Sequence, residues 1–265
     1  MELTEATLKR DGFDLHYWIG GVQDAPLVVF THGATIDHHE WDATLSIVGA
    51  RFRVLALDVR GMGLSRPAAF STPPAVQDIV DLLDELNIKQ ALFVGHSLGG
   101  NLHQELVFHH PERVLGMVFV DCTWNFQKLT PMEKFTLKIA RPLFALYPYQ
   151  KLVDLSLSAT ANSREEQEKL RPAMQSHTKA EVTDIMMAAT DCLHYEPGYK
   201  INKPLLMFLG DLDQTGNIRK VMPQWAAVEP DCKLLIVPGS RHSPNLDFPD
   251  LFHRELMAFL ERFEP

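Results

Sequence analysis

Ala91-Leu92-Phe93-Val94-Gly95-His96-Ser97-Leu98-Gly99-Gly100 decides how the rest of the chain is read. Four apolar residues in a row, bounded by glycine, have the character of a strand buried on both faces. From Leu98 to His109 the apolar residues recur at helical spacing instead. Ser97 is thereby predicted at a sharp strand-to-helix turn, in the centre of a Gly-x-Ser-x-Gly pattern. The glycines permit a tight backbone, and the start of the helix brings positive potential to the space beside the hydroxyl. Three fixed positions alone recur by chance in roughly a few per cent of chains this long. Requiring the strand, the helix and Gly100 as well makes chance a poor competitor.

Outward from this turn the pattern repeats. Leu27-Val28-Val29-Phe30, Arg53-Val54-Leu55-Ala56-Leu57 and Gly116-Met117-Val118-Phe119-Val120 read as further buried strands, as do Leu205-Leu206-Met207-Phe208-Leu209 and Leu234-Leu235-Ile236-Val237. Helices are expected at 40–48, 74–86, 218–228 and 249–263. This alternation predicts an α/β protein with a mostly parallel sheet flanked by helices. Residues 7–18, turned at Asp11-Gly12, are expected to form an edge hairpin. Between 123 and 200 the alternation stops and the composition becomes helical. Ser163-Arg164-Glu165-Glu166 and Thr178-Lys179-Ala180-Glu181 have capping-box spacing. Pro131, Pro142, Pro148 and Pro172 are expected to break this stretch into several short helices. The organisation expected is a core domain from 1–122 and 201–265, with 123–200 inserted as a helical cap or lid.

A serine hydroxyl is a feeble nucleophile until a base takes its proton, and imidazole has the pKa for that task. Twelve histidines compete. With the order Ser, acid, His along the chain, the base follows the last strand, which points to His242 in Val237-Pro238-Gly239-Ser240-Arg241-His242. His253 lies one helix later, and His194 falls in the inserted segment. For the acid, Gly210-Asp211-Leu212-Asp213 offers two carboxylates after the preceding strand, and Asp121 ends an earlier one. A tetrahedral intermediate needs two hydrogen-bond donors on its oxygen. The amide of Leu98 supplies one, and in Thr31-His32-Gly33-Ala34 the amide of Ala34 is the candidate for the second.

Together these segments resemble the α/β-hydrolase superfamily. Besides His32-Gly33 and the turn at Ser97, the resemblance is carried by Trp41, by Asp58-Val59-Arg60-Gly61-Met62-Gly63-Leu64-Ser65, by His110-Pro111-Glu112-Arg113-Val114, and by Gly239, His242 and Pro249. It covers both ends of the chain but not 123–200. The resemblance implies a triad of Ser97, Asp213 and His242, because the acid of such relatives stands three residues after the glycine. Asp211 is then the fallback, and Asp121 a capping or loop-fixing carboxylate. It also implies structural roles for Asp58 to Ser65, whose glycines lack the third position of a dinucleotide loop. The function implied is a cofactor-independent serine hydrolase that cleaves a small carboxylic ester, lactone or thioester through an acyl-enzyme. Other members of the fold cleave carbon-carbon bonds, make peracids, or act as slow-turnover ligand receptors, and fold alone does not separate these.

Composition narrows the partners. The chain has 265 residues, 46% hydrophobic and 22% charged, which fits one substantial core. With 34 acidic against 25 basic residues and a net charge of -9, it offers no basic footprint for nucleic acid. Met1-Glu2-Leu3-Thr4-Glu5 does not read as a secretory signal, and no apolar run is long enough to span a bilayer. Cys122, Cys192 and Cys232 fit neither a disulfide framework nor a Cys-x-x-Cys site, so a soluble, cytoplasmic protein is expected. His32, His38, His39 and Glu40 match no metal-ligand spacing, and no metal site is expected. The inserted segment carries aromatics and methionines. Trp124, Met186 and Met187 are the candidates to touch an apolar ester substrate, although methionine pairs more often fill cores.

Overall fold

Strands that are apolar on both faces must be covered on both, and the chain meets that demand with helices. In the computed structural model, which describes residues 2–264, β1 (Thr4–Arg10) and β2 (Phe13–Gly21) form the antiparallel hairpin. Then come β3 (Leu27–Thr31), α1 (Asp42–Val48), β4 (Arg53–Leu57), α2 (Thr72–Glu85), β5 (Ala91–His96), α3 (Leu98–His109) and β6 (Val114–Val120). Four helices follow, α4 (Pro131–Leu146), α5 (Tyr149–Thr160), α6 (Arg164–Gln175) and α7 (Lys179–Ala188). The chain closes with β7 (Leu205–Gly210), α8 (Ile218–Ala226), β8 (Cys232–Val237), α9 (Pro244–Asp247) and α10 (Pro249–Leu260).

The eight strands form one sheet in the order β1-β2-β4-β3-β5-β6-β7-β8, parallel from β4 to β8. Alternate residues point to opposite faces. Val29, Leu55, Phe93, Phe119 and Met207 join a core completed by Leu83, Leu102 and Trp225 from α2, α3 and α8. Their neighbours Phe30, Val54, Val94, Val118 and Phe208 pack instead on Trp41, Leu45 and Phe252. The chain leaves β3 toward one edge and β5 toward the other, although the two strands are paired, Thr31 opposite Gly95. The crevice beyond the ends of such a strand pair is where an α/β sheet accommodates ligands.

The helices between β6 and β7 have a small core of their own, in which Val153, Leu157, Leu170 and Met174 close on Ile36 from the loop after β3. The Thr178 and Glu181 capping box is complete. At Ser163 only half forms, its side chain accepting the Glu166 amide. A further complete box, Thr130 with Glu133, opens α4. Two of the four prolines do not break helices as expected, for Pro142 lies inside α4 and Pro172 inside α6. Both are exposed, so the carbonyl freed by the missing amide can turn to water and the helix continues past the proline. No helix of the described residues is long and apolar enough to cross a membrane.

Candidate active site

The turn between β5 and α3 holds Ser97 at φ 48 and ψ -115, a strained conformation for a residue with a side chain. Its amide donates to the Val120 carbonyl at 2.9 Å, and its carbonyl accepts the Asn101 amide at 3.1 Å. Gly95 makes this possible. A Cβ on it would lie 2.6 Å from both the Gly100 nitrogen and the Gly99 carbonyl carbon, and 2.7 Å from His103 Nδ1.

Ser97 Oγ donates to His242 Nε2 at 2.9 Å, and His242 Nδ1 donates to Asp213 Oδ2 at 3.1 Å. The Thr215 amide donates to the other oxygen of Asp213 at 2.7 Å. Burial pushes the Asp213 carboxyl up, but the His242 ring and Thr215 amide outweigh it and hold the group below its ordinary value. An ionised carboxylate on Nδ1 keeps that nitrogen protonated and leaves Nε2 free to take a proton from Ser97. The structure thus brings Ser97, His242 and Asp213 into one row. Asp211 lies elsewhere, accepting the Gly239 amide at 2.7 Å. Asp121 accepts the Gly210 amide with both oxygens. His253 bonds Thr44, and His194 sits between Glu105 and Glu196.

The amide of Leu98, next after Ser97, and that of Ala34, in the loop after β3, meet no protein acceptor among the described residues. His32 is engaged within that loop. Its Nδ1 donates to the Gly33 carbonyl at 2.7 Å and its Nε2 accepts the Val59 amide at 3.0 Å, which fixes the loop. Asp58 takes the Leu64 amide, the His38 amide and the His38 ring, so the Asp58 to Ser65 segment is organised around its own carboxylate. Trp124 is half-buried against the main core and lines a cleft with Gln127, Tyr195, Tyr199 and Val221. Met186 and Met187 are half-buried on α7 and do not line that cleft.

A buried ion pair escaped the reading from sequence. His96 Nδ1 lies 2.7 Å from Glu40 Oε1, and Glu40 Oε2 accepts the Gly33 amide at 3.1 Å. His96 Nε2 donates to the carbonyl of His242 at 2.8 Å. One pair therefore ties the loop before Ala34, the strand before Ser97 and the loop of His242 together. Burial opposes the charge on each partner, but mutual attraction wins, raising the His96 pKa and lowering that of Glu40. The helices between β6 and β7 also reach the His242 loop. The Ala159 carbonyl accepts the His242 amide at 3.4 Å, and Asn162 Nδ2 donates to Gly239 at 2.6 Å.

A family model described as the alpha/beta hydrolase family matches residues 28–255. A pimeloyl-(acyl-carrier protein) methyl ester esterase of Vibrio vulnificus strain CMCP6 is 24% identical over 259 residues, 93% of this chain and 98% of that protein. Epoxide hydrolase 4 of Mus musculus is 27% identical over 141 residues, 52% of this chain and only 38% of its own length. Among solved structures, the enol-lactonase from Burkholderia xenovorans LB400 superposes with a TM-score of 0.81 over 97% of this chain and 100% of its own. At 22% identity that likeness speaks for the fold alone.

Proposed function

The chain belongs to the alpha/beta hydrolase family, and on that premise we propose that it cleaves small carboxylic esters, with activity on lactones or thioesters as part of the same chemistry. The observation that carries this reading is the unbroken row from Ser97 Oγ through His242 to Asp213, at 2.9 and 3.1 Å. Ser97 attacks the carbonyl carbon as His242 Nε2 takes its proton. Asp213 holds the ring in the right tautomer and stabilises the imidazolium that forms. The amides of Ala34 and Leu98 receive the oxyanion. His242 returns the proton to the departing alcohol, and an acyl group remains on Ser97. Water, activated by His242 in turn, releases the acid.

Every group in this sequence belongs to the chain, so no cofactor is invoked. The segment 123–200 acts in this reading as a cap over the substrate's apolar part, with Trp124 from the loop before α4 and, apart from its cleft, Met186 and Met187 of α7 as the residues proposed to touch it. The Vibrio relative, a methyl ester esterase over nearly its whole length, supports an ester substrate. Three unpaired thiols, two of them buried, support a reducing cytoplasmic setting. The test is kcat/KM across p-nitrophenyl esters, lactones and diketones. Esters of short acids are expected to turn over fastest. Cleavage of diketones with no turnover of any ester would overturn the proposal.

A further inference from the structure

Two aspartates, not one, sit behind His242. Asp121 follows β6 with φ 39, and Asp213 follows β7. Both are withdrawn from water, at 0% and 1% exposure. An oxygen of each and a ring nitrogen of His242 all lie within 4.8 Å of one another. Donors around the pair are shared unequally. Asp213 receives the His242 Nδ1–H and the Thr215 amide, whereas among the described residues Asp121 receives only the Gly210 amide, split between its oxygens at 3.0 and 3.2 Å. Two buried carboxyls this close cannot both stay ionised. The charge settles on the one with more donors.

We propose that Asp121 is a neutral carboxylic acid that donates its hydroxyl to Asp213, making it a positioning residue and the fourth member of the row behind Ser97. The inference rests on reading that row as the catalytic triad. Its hydrogen-bond balance closes, because one Asp121 oxygen is enough to accept the single Gly210 N–H, which frees the other to give its proton to Asp213. Other groups around it act in the same direction. Burial raises the Asp121 carboxyl strongly, the negative charges of Asp213 and Asp247 raise it further, and only the Gly210 amide opposes them. Burial pushes the neighbouring Cys122 thiol up and keeps it neutral, so it adds no charge that would alter the order. A third donor makes Asp213 less basic, which leaves the Nδ1 proton on His242 and adds no second negative charge beside the imidazole.

Asp121→Asn and Asp121→Ala test this, with kcat/KM followed against pH and the infrared carbonyl band of a protonated carboxylic acid measured at neutral pH. The amide of Asp121→Asn donates to Asp213 and accepts from Gly210, as the neutral acid does. It is expected to keep kcat/KM within about threefold, with the acidic limb of the profile unmoved, and to lose the infrared band. Asp121→Ala removes the donor, so Asp213 becomes more basic and holds the imidazolium more firmly. Its acidic limb is expected to move to higher pH, with kcat reduced about tenfold. An ionised Asp121 would give the opposite sign, since removing a negative charge in Asp121→Asn would shift the limb to lower pH. That shift, or a wild-type spectrum without the band, would overturn the proposal. Should Asp121→Ala fail to fold, Asp121→Asn decides alone. The infrared band needs no turnover, so it separates this proposal from the triad reading, which Ser97→Ala tests independently.

Discussion

Gly95→Ala puts the geometry of the turn to work. An added Cβ would stand 2.6 Å from the Gly100 nitrogen and the Gly99 carbonyl carbon, where ordinary contact begins at 3.4 Å. The first turn of α3 must therefore yield by something approaching 1 Å, since the two nearest obstacles are backbone and the third, at 2.7 Å, is the buried His103 ring. That turn carries the Leu98 amide and Ser97 itself. Overpacking of this kind destabilises by about 1–3 kcal/mol, which in a chain this size lowers Tm by roughly 2–12 °C. A displacement near 1 Å in a reacting group costs about 100-fold in rate. The assay is kcat and KM on a p-nitrophenyl ester beside a thermal melt, with Gly198→Ala as control. Gly198 has φ +78 but nothing within 4 Å of an added Cβ, so its substitution should cost about 1 kcal/mol from backbone strain and leave kcat unchanged. Wild-type kcat in Gly95→Ala, or equal loss of kcat in both variants, would refute the reasoning.

Asp213→Asn should reduce kcat by about 10⁴-fold through the wrong His242 tautomer, while Asp211→Asn, which alters only the Gly239 bond, should retain most activity; the reverse order would move the acid. His96→Gln leaves the buried Glu40 charge with neutral donors only, the Gly33 amide and Asn245, a loss of about 3–5 kcal/mol where both partners are ionised. The lowered Glu40 contributes stability above its unfolded pKa of about 4.3, and the raised His96 contributes fully below about 6.5 and fades as pH rises through its folded value. The Tm gap between wild type and His96→Gln should thus be widest between these values and narrow above them, and a gap that grows with rising pH would contradict the pairing. The loop after β3 carries side chains rather than a glycine run, and Thr35 is fixed at φ 64 with its amide on Met62 and its hydroxyl on the Ala34 carbonyl. Acetates of primary alcohols should accordingly be turned over and tert-butyl acetate rejected, as kcat/KM along an n-butyl to tert-butyl series will show.

What could be read from the chain is what local pattern dictates. Val28 to Phe30 and Ala91 to Val94 have no polar face to leave in water, so their place in a covered sheet follows from the residues themselves. The turn at Ser97 is legible for the same reason, since its glycines, strand and helix are consecutive. Choice among acids is different. Asp121, Asp211 and Asp213 all follow strands, so the residues alone leave the acid open; the resemblance implies Asp213, and the packing of β6, β7 and β8 sets it against His242. Glu40 and His96 illustrate the limit most clearly, for each looks like a surface residue until a partner far along the chain neutralises it. In 123–200 the Thr130 and Glu133 spacing was as readable as that at Thr178, but the interior prolines hid the continuity of α4 and α6.

The most direct measurement is labelling with a fluorophosphonate ester, followed by intact-mass and peptide mass spectrometry alongside residual esterase activity. One equivalent should attach to Ser97 as activity falls to zero, and the Ser97→Ala protein should neither label nor turn over ester. Inactivation with the label on another residue, or ester turnover by Ser97→Ala at a near wild-type rate, would contradict the claim that Ser97 is the nucleophile.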